Sequence, residues 1–411
     1  MKTHNFFIVI IAVLFFACKK EDAQEQKLEK IQQAIEAIVA EEFDAMAELY
    51  PQYPGGFIMQ VQTGKHHFFA HHNINGEAGK TVHFRAASNT KTFTSTAILL
   101  LHQQGKLDIR HHLTDIIPQK DIQYLPENQE YDIPFKSQIT ILDLMRHRAG
   151  VFDITNDLIP DTITADVPYK GEHYLSYIME NNPAHSFTLD QLIQVVAETG
   201  LYYFEPGTDY HYSNTGYSIL AKIIERVSGM SYRDFMHQNI VVPMGLNNTT
   251  FPFLGTDQQL PSPFLPGYIL INDEIFDVTE SNVSGNIAEG NIITTTDDLF
   301  HFLRTTLRGE GLLTPYTVNS IMMNVIPGSN SSSGAYGCGL SYTKNLGYGH
   351  SGAHEGYLSI MTYDPADDIT IVMVTNTWNL SDGLNTIIEQ LNGLMQNIGF
   401  RTKYYLKDQK L

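Results

Sequence analysis

The chain has 411 residues, 43% hydrophobic and 17% charged, a balance that supports a packed core and argues against a disordered chain. Its net charge of −19, from 45 acidic against 26 basic residues, repels phosphate backbones and counts against nucleic acid as a partner. Cys18 and Cys338 are the only cysteines, so stability must come from the core.

Lys2 gives the first residues a positive charge, and Phe6 to Ala17 is an unbroken apolar run. The run is short for a membrane span and right for a signal segment. Small Ala17 then precedes Cys18, which resembles a bacterial lipoprotein signal. Phe15 departs from that pattern, which usually has a smaller aliphatic residue there. The expectation is a signal peptide over residues 1–17, a lipid on Cys18 and a polar tether over 18–27. The chain is then exported and held to a membrane, in the outer membrane, the periplasm or at the cell surface. A lipid on Cys18 leaves Cys338 without an intramolecular disulfide partner.

From Leu28 the apolar residues Ile31, Ile35, Ile38, Val39, Phe43 and Met46 recur mostly at three- and four-residue steps. That spacing predicts an amphipathic helix, ended by Pro51, Pro54 and two glycines. Gly56 to Thr63 and His66 to His72 read as two strands across a turn at Gly64. Four histidines fall there, at positions 66, 67, 71 and 72. Adjacent strand residues point to opposite faces and no Asp or Cys joins them nearby, so a metal site is the weaker reading.

Ser88-Asn89-Thr90-Lys91 comes next. Serine is a weak nucleophile and needs a neighbouring base. On a helix, Ser and Lys three apart share a face. Phe93, Ala97, Ile98 and Leu101 continue a buried helix that Gly105 stops. Ser88 therefore sits at a helix start, where backbone N–H groups favour negative charge. Ser341-Tyr342-Thr343-Lys344 has the same spacing. It lies in a strand-like stretch that puts the two side chains on opposite faces, so it reads as structural.

Tyr212-Ser213-Asn214 follows the turn at Pro206-Gly207. It precedes a helix marked by Ile219, Leu220, Ile223, Ile224 and Val227. A phenol on that loop can be aimed into a cleft, and Asn214 can both donate and accept. The third piece is His350-Ser351-Gly352, where flanking glycines let another backbone approach closely. A strand edge here could hold an extended substrate by backbone hydrogen bonds.

Tyr336 to Thr343, Gly356 to Asp364 and Ile369 to Asn376 read as strands, with turns at Gly347 to Gly349 and Pro365 to Asp368. Leu384, Ile387, Leu391, Leu394 and Ile398 then trace one helix face. The expected fold class is α+β. An antiparallel sheet from residues 28–87 and 330–400 is flanked by helices, with a mostly helical lobe over 88–329 inserted and a tail over 401–411.

Taken in order, Ser-x-x-Lys, Tyr-x-Asn and His-x-Gly resemble the serine β-lactamase and penicillin-binding protein superfamily. The likeness is greatest to its class C β-lactamase, D-alanyl-D-alanine carboxypeptidase and esterase branch. It covers Phe57 to Gly393. AASNTKTFTSTAILLLHQQGKLDI resembles the nucleophile helix of that family. LDLMRHRAGV resembles a characteristic loop, with Arg148 and Ala149 where Thr and Ser are more usual. AEGNIITTTDDL resembles its Gly-rich segment, with Asn291 where Gly is common. The resemblance implies a β-lactamase/DD-peptidase-like fold and a serine hydrolase working through an acyl-enzyme.

Position by position, Ser88 would be acylated, and Lys91 and Tyr212 would share the proton transfers. Asn214 would steady Lys91 and the substrate amide. His350 and Ser351-Gly352 would line the cleft, and the N–H groups of Ser88 and Ala353 would bind the oxyanion. A requirement for neutral His350 would put an acid limb at about pH 6 to 7. No cofactor or metal is implied. The implied partner is a small D-amino-acid peptide, a β-lactam or an ester. The expected action is D-alanyl carboxypeptidase-like or on β-lactam-related substrates. The cleft motifs show Glu289, His354 and Glu355 but no Arg for a substrate carboxylate, which raises the alternative of an esterase or D-aminopeptidase, though Lys344 or Arg148 could still reach in. The non-enzyme alternative is a peptidoglycan- or penicillin-binding sensor.

Overall fold

The computed structural model describes residues 4–48, 53–74, 79–326 and 335–410. Cys18 lies outside the described side chains. Among the described residues no helix is long and apolar enough to cross a membrane.

The centre is a seven-stranded sheet built from both ends of the chain. Its strands are β1 (Phe57–Thr63), β2 (His66–His72), β7 (Ala335–Tyr336), β8 (Ser341–Thr343), β9 (Gly347–His354), β10 (Tyr357–Asp364) and β11 (Ile369–Thr375). Their spatial order is β2-β1-β11-β10-β9-β8-β7. Every pair in it is antiparallel, and β1 meets β11 with Phe57 opposite Thr375.

Alternation along the strands divides the core in two. Phe57, Met59 and Val61 of β1 and Ile371 and Met373 of β11 pack with Ile35, Val39 and Phe43 of the first helix and Leu391 and Met395 of the last. Ile58, Val372 and Val374 face the other way, onto Phe93, Ala97 and Leu101 of the inserted lobe. Both faces of the sheet are thus covered.

Short strands outside the main sheet, in the lobe and at its borders, were not predicted by the apolar pattern. The pair β3 (Phe84–Arg85) and β6 (Ile293–Thr294) ties the approach to Ser88 to the Gly-rich segment. A second group joins β4 (Tyr268–Ile271) and β5 (Glu274–Asp277) to β12 (Thr377–Asn379).

Four local expectations change. Gly347–Gly349 opens β9 and is not a turn; the turn lies at 344–346, where Asn345 takes a φ of 68°. The strand expected over Tyr336 to Thr343 is split into β7 and β8 by a turn at Gly339, φ 71°. The first helix is continuous over His4–Ala47, through the stretch expected as a tether. That stretch is rich in Lys, Glu and Gln and has no Pro or Gly to stop a helix. The last helix, Leu384–Asp408, runs on through the expected tail. Leu406 is buried there, and Lys403 pairs with Asp364 and Asp367.

Candidate active site

Ser88 lies in a single 3-10 turn, Ala87–Asn89, that leads into the helix Thr90–Gln103. Ala87 is held at φ 46°, a left-handed conformation that costs a non-glycine residue about 1–3 kcal/mol. The turn is pinned on several sides. Asn89 Nδ2 donates to Ala86 O at 2.9 Å and to Ser359 Oγ at 2.8 Å, and Thr90 Oγ1 donates to Ala87 O at 2.7 Å.

Strand β9 passes against this turn. A Cβ built on Gly352 would fall 2.0 Å from Ala86 O, so only glycine allows the approach. Gly349 makes the same kind of contact with β10, where a Cβ would fall 1.8 Å from Met361 O. These glycines serve close backbone packing inside a strand.

One helical step from Ser88, the Lys91 side chain is fully buried. Its Nζ lies 3.1 Å from Ser88 Oγ, 2.9 Å from Glu289 O and 3.1 Å from Glu289 Oε2. Burial pulls the Lys91 pKa down, while the Glu289 carboxylate opposes that shift. Burial pushes Glu289 up. Lys91 and the hydrogen bond from Asn286 oppose that shift and favour the carboxylate.

Tyr212 reaches in from the loop before the helix Asn214–Ser228, which Ser213 caps by accepting from Gly216 N. Lys91 Nζ sits 4.7 Å from the centre of the Tyr212 ring. Burial holds the phenol well above its ordinary pKa, partly opposed by a hydrogen bond to Ser88. Tyr212 therefore stays protonated at neutral pH. His147 packs on its ring at 4.2 Å and accepts from Ser213 N at 3.1 Å.

The cavity over Ser88 holds about 310 Å³. Tyr212, Asn214, His350, Ser351 and Ala353 line it. Gly352 acts behind the wall through its contact with Ala86. His350 is buried, and its pKa falls to about 3, chiefly through burial. Its Nδ1 donates to Ser351 O at 2.5 Å, so Nε2 accepts from Tyr336 Oη at 2.9 Å. His350 is thus neutral throughout the usual working range, and the acid limb expected from it at about pH 6 to 7 does not belong to it.

Asn214 is placed differently from its expected role. Its Nδ2 donates to Thr155 Oγ1 at 2.7 Å, not to Lys91, and its Oδ1 is buried with no partner among the described residues. The missed residues are Asp153, Asn156 and Asn286. Asp153 accepts from the N–H and hydroxyl of Thr155, from Asn156 Nδ2 and from Asn214 N, which fixes the cavity floor. Asn156 and Asn286 line the cavity with Glu289 and His354. The order D-x-T-N soon after LDLMRHRAGV was the available signal.

Other candidates lie elsewhere. Ser341 is in β8 and donates to Gly349 O at 3.3 Å, while Lys344 is exposed in the following turn. Arg148 donates to Gly207 O at 2.7 Å and does not line the cavity. His67 meets Gln60 at 2.9 Å and His72 meets Asp44 at 2.8 Å. Among the described residues no three potential metal ligands cluster.

A family model described as Beta-lactamase matches residues 35–391. The chain belongs to the beta-lactamase family. This family member is 28% identical over 230 residues to a penicillin-binding protein of Bacillus subtilis (strain 168), covering 53% of this chain and 44% of that one. It is 24% identical over 352 residues to protein flp of Staphylococcus aureus (strain NCTC 8325 / PS 47), covering 84% of this chain and 63% of that one. It therefore spans less than two thirds of either relative. Among solved structures, a D-stereospecific amidohydrolase from Streptomyces sp. matches with a TM-score of 0.65 at 26% identity, covering 84% of this chain and 93% of that one. The D-amino acid amidase of Ochrobactrum anthropi SV3 shares the fold, with a TM-score of 0.67 at 23% identity over 90% of this chain and 98% of that one. The beta-lactamase fold and the superfamily read from the three motifs are those of this chain.

Proposed function

We propose that the protein is a serine amidohydrolase or esterase that acylates Ser88. The observation that carries this reading is Lys91 Nζ at 3.1 Å from Ser88 Oγ inside a cavity large enough for a small acyl group. The pKa directions divide the proton work. Lys91, drawn toward the neutral amine, takes the Ser88 proton. Tyr212, held as a phenol, passes a proton to the leaving group. The backbone N–H groups of Ser88 and Ala353 receive the developing oxyanion.

The lining narrows the substrate. It carries the Glu289 carboxylate, three asparagine amides and two histidines whose pKa values burial holds at about 3 (His350) and about 4 (His354). Among the described residues no Lys or Arg lines it, so no side-chain cation there pairs with a substrate carboxylate. That disfavours a carboxypeptidase or β-lactam substrate and favours a neutral or cationic acyl donor. The likeness to the D-stereospecific amidohydrolase supports a D-amino-acid amide.

A fluorophosphonate should add one label, found by intact-mass and peptide mapping on the Ser88 peptide and absent in Ser88→Ala. D-amino-acid amides and short p-nitrophenyl esters should turn over faster than D-Ala-D-Ala peptides or nitrocefin. A label on the Ser341 peptide would overturn the nucleophile, and preference for nitrocefin would overturn the substrate class. Export with a lipid on Cys18 is part of the same proposal and rests on the Phe6–Ala17 run and the Ala17-Cys18 step.

A further inference from the structure

A neutral lysine amine has two N–H bonds and one lone pair. Glu289 presents two acceptors to Lys91 Nζ, its main-chain O at 2.9 Å and Oε2 at 3.1 Å. With both N–H bonds directed there, the lone pair is left for the third neighbour, Ser88 Oγ at 3.1 Å. The carboxylate is itself fixed. Asn286 Nδ2 donates to Oε1 at 2.6 Å, and the preceding Ala288 is locked at φ 72° with its N–H bonded to Asn291 Oδ1 at 3.1 Å.

We propose that Glu289 is a positioning residue that completes a Ser88–Lys91–Glu289 triad, aiming the amine at Ser88 and stabilising the ammonium formed on proton transfer. The inference rests on the acylation of Ser88 proposed above. In the first step the Ser88 Oγ–H proton moves to Lys91 Nζ and Oγ bonds to the substrate carbonyl carbon. The carbonyl π pair moves onto its oxygen. When that pair returns, the bond to the leaving nitrogen or oxygen breaks. The leaving atom takes a proton from Tyr212, which is refilled from the Lys91 ammonium. Water repeats the sequence on the ester and restores Ser88. Glu289 begins and ends each step as a carboxylate, the part an aspartate plays behind a histidine base.

The charged and titratable surroundings give the sign. Lys91 faces Glu289 and the rings of Tyr212 and Tyr217, with Asp153 as a further carboxylate and neutral His147 and His350 nearby. Glu289 favours the ammonium against burial. Removing its charge must therefore move the deprotonation of Lys91 to lower pH and make it a weaker base.

The test is the pH dependence of the second-order rate of Ser88 labelling by a fluorophosphonate, in wild type and Glu289→Gln. The expected result is an acid limb lower by about one pH unit or more with a plateau rate about 10- to 100-fold lower. An unmoved limb, or one moved to higher pH, would overturn the triad. Wild type that leaves the Ser88 peptide unlabelled would instead remove the acylation reading itself. If Glu289→Gln does not fold, Glu289→Asp is measured. Its withdrawn carboxylate should lower the plateau and shift the limb part of the way, and wild-type behaviour in both would overturn the proposal.

Discussion

At the residue scale, burial makes protonation of His350 work against the fold. Its pKa of about 3 lies below the ordinary imidazole value of 6.5. The unfolded chain therefore binds more protons between those values, so this stabilisation is complete above about pH 6.5 and is lost as pH falls toward 3. Thermal melts should show Tm dropping from about pH 6.5 to pH 4, with a smaller drop in His350→Gln. Equal drops in both proteins would show that other groups carry the acid sensitivity. Ser88 and Lys91 were legible in the sequence because one helical step fixes their relation without the rest of the fold. Asp153 and Asn156 were not, because they enter through an irregular loop with no periodic pattern. Glu289 could be picked out as a cleft residue. Its pairing with Lys91 joins segments 198 residues apart and needed the tertiary structure.

At the scale of elements, the strands and helices of the two chain ends followed their apolar periods. β1, β2 and the helix face of Ile31, Ile35 and Val39 lie where alternation and three-to-four spacing put them. Glycine has two meanings, and the expected elements differ from the structure where both apply. Gly347–Gly349 carries a turn signal, yet Gly349 serves a strand whose neighbour leaves no room for a Cβ. Gly352 presses β9 onto the Ser88 turn in the same way. Gly352→Ala should therefore separate the two and lower the Ser88 labelling rate by about 100-fold, the cost of displacing reacting groups by about 1 Å. Labelling at the wild-type rate would show that β9 does not set the geometry of the Ser88 turn.

At the scale of the molecule, the α+β architecture was legible because each chain end carries its own strands and helix. The small sheet of β4, β5 and β12 was not, because Ile275 and Phe276 of β5 are exposed and give no alternating pattern. The proposed anchor acts at this scale too. Cys18→Ser should move the protein from the membrane fraction to the soluble fraction on cell fractionation. Wild type already in the soluble fraction would remove the lipid from the proposal.

The pairing of β1 with β11 also bears on how the protein is made. A ribosome delivers residue 57 long before residue 375, so Phe57, Met59 and Val61 wait without the neighbour that covers one edge of their strand. Contacts between such distant positions carry a loop-closure cost before they give any return, which places the chain among slow folders. The lobe between them, with its own apolar core, can condense first and shorten the loop. Until the last third of the chain emerges, the open edge of β1 is a hazard for association with other nascent chains.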